Sequence, residues 1–94
     1  MNTTEALQIL REELRTYEQR PYHDLTTLVG QVIHKDRLAP SGTNYQIDAQ
    51  FMWDDARLHT IRVIVAIDDS SLRYSVLPMS EDFIMKPDGS LVGK

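Results

Sequence analysis

The sequence predicts an α+β domain, with an N-terminal helix and a short second helix packed on one face of a four-stranded antiparallel meander sheet. Three patterns carry this. From Thr43 to Trp53 the side chains alternate, with Thr43, Tyr45, Ile47, Ala49, Phe51 and Trp53 on one side and mainly polar residues on the other. Leu58 to Ile67 repeats the alternation with the same odd-numbered apolar face. Before both, Leu7, Leu10, Leu14 and Tyr17 recur at three- and four-residue spacing, widened by Ala6 and Ile9.

That helical stripe starts beside Asn2, which suits an N-cap, with Glu5 three residues on completing a weakened capping box. Arg11, Glu12, Glu13 and Arg15 fall on the expected wet side, Glu12 and Arg15 within supporting distance of each other. Pro21 ends the helix and opens a second one over Tyr22–Val29, with Leu25, Leu28 and Val29 inward and Gly30 as the stop. Gln31–Leu38 reads as an edge strand, turned back by Ala39-Pro40-Ser41-Gly42. Pairing Leu38 with Thr43 places His34 beside Ile47 and Asp36 beside Tyr45; a slip by one residue turns Ile33, Lys35 and Arg37 inward instead.

A five-residue loop 54–58 pairs Trp53 with His59, Phe51 with Ile61, Ala49 with Val63 and Ile47 with Val65. A further loop, Asp68-Asp69-Ser70-Ser71, pairs Ile67 with Leu72, Val65 with Tyr74 and Val63 with Val76, and Pro78 ends that strand. The tail, anchored by Phe83, Ile84 and Met85 and turned at Pro87-Asp88-Gly89, is expected to pack across an end of the sheet. The order of a long helix followed by a curved antiparallel sheet resembles cystatin-like architectures, a scaffold that hosts unrelated activities.

Ninety-four residues suit a single small domain spanning 1–94. The absence of cysteine excludes disulfides, thiol catalysis and thiolate metal sites, and suits a cytoplasmic setting. No apolar run approaches the roughly 20 residues of a membrane span, and Met1-Asn2-Thr3-Thr4-Glu5 lacks the basic start of a secretory signal. The net charge of −4 divides into −1 over residues 1–40 and −3 over residues 41–94, so nucleic acid is a poor partner.

Chemistry-bearing motifs are sparse. The acidic pairs Asp54-Asp55 and Asp68-Asp69 sit at opposite ends of one predicted strand and read as turn formers, as does Asp88-Gly89. His23, His34 and His59 have no metal-ligand spacing, and no phosphate-binding loop or nucleophile elbow occurs, so no cofactor, metal or catalytic set is expected. His59 is placed against Trp53. The expected role is protein–protein contact, with a partner or a second copy, through the outer sheet face at Met52, Arg62, Ile64 and Leu77. The alternatives are a ligand-binding or catalytic pocket around His34, Tyr45, Trp53 and Tyr74, with Tyr17 nearby, or an acidic immunity-type inhibitor.

Overall fold

The computed structural model describes residues 3–69 and 79–93. Two helices, α1 (Thr3–Glu18) and α2 (Tyr22–Thr26), precede four strands, β1 (Val32–Leu38), β2 (Asn44–Asp55), β3 (Thr60–Asp69) and β4 (Met79–Met85). The strands form one antiparallel sheet in the order β1-β2-β3-β4. The α+β architecture is the one the sequence predicts.

Helix α1 buries Ala6, Ile9, Leu10, Leu14 and Tyr17, as its periodicity requires, and packs against β3 and β4. Glu13 corrects the expected wet side. It lies on the buried stripe, one turn from Ile9 and Leu10, and its carboxylate pairs with Lys35 at 2.8 Å and Arg37 at 3.2 Å. Asn2, the expected cap, lies outside the described residues.

Helix α2 is shorter than expected, and Pro21 occupies its N-cap rather than its first turn. The hydroxyls of Thr26 and Thr27 donate to the carbonyls of His23 and Asp24 at 2.6 and 2.7 Å. Such bonds compete with helix propagation. Leu25 is fully buried, and Leu28 and Val29 still pack on the core beyond the helix end. Gly30 then takes φ +88°, left-handed backbone that favours glycine, and donates its N–H to the Phe51 carbonyl at 2.8 Å.

The strand faces match the sequence reading in β2 and β3, but the registers do not. Between β2 and β3, Trp53 pairs with Ile61, Phe51 with Val63, Ala49 with Val65 and Ile47 with Ile67, two residues away from the expected alignment. The strand runs on to Asp55, a bulge precedes the turn, and Asp55 accepts the N–H groups of Arg57 and Leu58 at 2.9 and 3.3 Å. His59 closes the turn at φ 58°. A tighter turn farther along the chain moves every pair by two while leaving each side chain on its face.

At β1 the one-residue slip is the observed register, with Lys35 opposite Ile47, Arg37 opposite Tyr45 and His34 opposite Asp48. Ile33, Lys35 and Arg37 therefore face inward, and His34 and Asp36 outward. The acidic α1 residues Glu12 and Glu13 supply the reason: Arg37 meets both, and Lys35 meets Glu13.

The last strand is a larger correction. Met79 pairs with Ile67, Glu81 with Val65, Phe83 with Val63 and Met85 with Ile61, so the tail segment is β4 rather than a cover for the sheet end. Leu72, Tyr74 and Val76 lie outside the described residues. Past β4 the Pro87-Asp88-Gly89 turn forms as expected, with Asp88 accepting from the Ser90 N–H and hydroxyl, and Val92 donating back to the Ile84 carbonyl. Asp68 and Asp69 belong to β3, opposite Gln46 and Tyr45, and not to a loop.

Leu10, Leu25, Tyr45, Phe51, Ile61, Val63, Val65, Ile67 and Met85 are essentially removed from solvent between the helices and the odd-numbered sheet face.

Candidate functional site: the outer sheet face

Helices α1 and α2 cluster with the odd-numbered side chains, which leaves the even-numbered face of β1–β4 half-buried or exposed apart from Thr60 beside the bulge. Its apolar centre is assembled from three strands. Met52 and Ile84 flank Arg62, while Gln50 and Asp82 flank Ile64, and Asp48 and Ser80 flank Ala66. The expected neighbours, Met52 by Thr60 and Gln50 by Arg62, are displaced by the same two-residue shift.

Arg62 is clamped in the plane of this face. Its Nη2 and Nε donate to Asp54 at 2.8 and 3.1 Å, and its Nη1 pairs with Asp82. The hydrogen bond to Asp54 is the main reason its guanidinium is held protonated above its ordinary value. Asp54 thus spends its charge on a cross-strand pair rather than on the turn, where Asp55 alone does the work expected of both.

His34 anchors the opposite corner. Its Nδ1 lies 2.6 Å from Asp48 Oδ1 and its Nε2 3.7 Å from Asp36 Oδ1. The hydrogen bond to Asp48, helped by the charges of Asp48, Asp36 and Asp68, raises the imidazole pKa against the opposing effect of desolvation. Two carboxylates beside the ring favour its imidazolium form over the neutral one.

Among the described residues, Asp36, Asp48, Asp54, Asp68 and Asp82 set five carboxylates on this face against the single arginine Arg62. The sequence reading treats Ile84 as a tail anchor and does not bring it or Asp82 to this face, because their strand was not assigned to the sheet. Their alternation with Glu81, Phe83 and Met85 is the signal that could have placed them.

The sequence-derived residues divide between the two sides of the sheet. Met52, Arg62 and Ile64 share the outer face, and Leu77 lies outside the described residues. His34 joins that outer face. Tyr45, by contrast, is wholly buried on the other side, its hydroxyl donating to Glu5 at 2.8 Å. Burial, and then the Glu5 contact, pushes the phenol up to about 12. Trp53 is also on the odd face, beyond the core and 41% exposed, with its ring edge-on to His59 at 6.0 Å as expected. Tyr17 is buried edge-on to Phe51 at 5.2 Å. The sheet therefore separates His34 from Tyr45 and Trp53, and Tyr74 lies outside the described residues.

Open clefts occur elsewhere, one along α1 lined by Leu7, Gln8, Arg11, Glu12 and Arg15, another beside the β2–β3 turn lined by Leu58, Thr60, Lys86, Pro87 and Asp88. The carboxylate in each is already engaged, Glu12 with Arg37 and Asp88 with Ser90. No group of three or more potential metal ligands is arranged around a common point among the described residues, and no described helix is long and apolar enough to cross a membrane. No protein family, curated protein or solved structure matches the chain.

Proposed function

We propose that the protein acts by binding another protein through the outer face of the sheet, and that the partner presents basic side chains around an apolar patch. The observation that carries this is the composition of the face: Met52, Ile64, Ala66 and Ile84 at the centre, ringed by five aspartates. Apolar surface inside a polar rim is the general anatomy of a protein contact. The charge selects the occupant. Two copies meeting face to face would oppose their carboxylates, because Arg62 is already committed within its own chain to Asp54 and Asp82. A basic partner would instead be steered onto the face and held at its rim.

The test compares proteins co-purifying with the tagged chain, its Ile64→Arg variant and its Gln19→Arg variant, with NMR shift mapping of the recovered partner. Ile64→Arg should lower recovery at least about tenfold, the effect of roughly 1.4 kcal/mol at a buried contact. Gln19→Arg, on the exposed end of the helical side, should not. A partner retained by Ile64→Arg, or mapped to the helical side, refutes the reading.

A further inference from the structure

Among the described residues, the outermost strand β1 pairs on one side only, with β2. The hydrogen bonds at its two ends identify which backbone groups are left over. Ala39 donates to the Thr43 carbonyl at 2.8 Å and Phe51 donates to the Gln31 carbonyl at 3.3 Å, so odd-numbered residues of this segment form the closely bonded pairs with β2. The N–H and C=O groups of Val32, His34, Asp36 and Leu38 therefore point outward along an open edge.

We infer that this edge pairs with the same edge of a second copy, antiparallel about a two-fold axis through Lys35, joining two sheets into one of eight strands. The strand is complementary to itself in this register. Val32 falls opposite Leu38 of the second copy, and these are 60% and 71% exposed in the single chain. His34 falls opposite Asp36 of the second copy, an attractive pair made twice by the symmetry. All four residues have their backbone groups directed outward, so each opposed pair closes two hydrogen bonds, about eight in total.

The central pair is Lys35 opposite Lys35 of the second copy, the arrangement that would ordinarily guard an edge. Here each lysine is neutralised by Glu13 of its own chain at 2.8 Å, so the axis carries two ion pairs rather than two bare charges. Shifting the register by two residues loses both the apolar pairs and the charge pairs. The inference stands independently of the outer-face reading, although the joined sheet would set two acidic faces side by side.

Sedimentation and light scattering across a concentration series test it, with three variants of the full chain. His34→Asp and Asp36→Lys should each weaken dimerisation about tenfold, because each places like charges opposite one another twice. Combining the two restores opposite charges and should recover most of the loss. His34→Pro removes a donor that β2 does not use, so it should give a folded monomer by circular dichroism, whereas Lys35→Pro should also damage the β1–β2 ladder. A chain monomeric at millimolar concentration overturns the proposal. So does a dimer unaffected by these variants, one dissociated instead by Ile64→Arg, or a double variant no better than its singles.

Discussion

At the scale of single residues, the least expected feature is how thoroughly the charged side chains are committed to one another. His34 lies between Asp48 and Asp36, and Arg62 between Asp54 and Asp82. Asp36 lies two residues along the same strand, but Asp48, Asp54 and Asp82 come from neighbouring strands, which spacing along the chain does not show. The consequence for His34 has a definite sign. Its pKa is raised from the ordinary 6.5 in the folded protein by the Asp48 hydrogen bond and the surrounding carboxylates. The protonated ring therefore favours the folded state at pH below the unfolded value, and that contribution disappears as pH rises through the folded one. An NMR titration should find the His34 midpoint above that of an unperturbed histidine, and Asp48→Asn should bring it down. A midpoint that ignores Asp48→Asn would show that the 2.6 Å contact does not persist in solution.

At the scale of elements, β1 is where local pattern was least informative. Neither of its faces is cleanly apolar, so hydrophobicity alone left two registers open. The decision comes from α1: Glu12 and Glu13 draw Lys35 and Arg37 inward, and His34 and Asp36 turn out as a consequence. Glu13 is only 7% exposed, whereas Lys35 and Arg37 keep 50% and 34% of their side chains in water. Glu13→Ala should therefore destabilise the fold by about 1–3 kcal/mol, less than the loss of a fully buried ion-pair partner. Urea unfolding measures it. Glu12→Ala, at an exposed site, should change the midpoint less, and an equal effect would refute the docking role given to Glu13. The α2 segment teaches a related lesson: Leu28 and Val29 reach the core as predicted, but on non-helical backbone, because packing rewards position and not helical conformation.

Across the whole molecule, the two faces of the sheet differ in burial, the odd-numbered side forming the core and the even-numbered side reaching solvent. Ile64 and Ile67 are the same residue type three positions apart on β3, one half-exposed and the other fully buried. Ile67→Ala should cost about 2–5 kcal/mol, lowering the melting temperature by ten degrees or more, in order of magnitude, for a domain of this size. Ile64→Ala should cost no more than about 1 kcal/mol and spend its effect on binding. Equal losses in thermal denaturation would contradict the assignment of faces. The sequence by itself determined the fold class, the helical stripe and the odd-numbered core face, because 3.6- and two-residue periods show directly which side chains can be buried together. Alternation specifies pairing only to within an even shift, so Trp53 with His59 and Trp53 with Ile61 satisfy it equally. Tertiary structure settled what remained: the Asp55 turn chose the pairing, Glu13 chose the β1 face, and the free edge of β3 selected Met79–Met85 as its partner. Those choices depend on groups far apart in the chain meeting in space, and they are what assembled the acidic outer face.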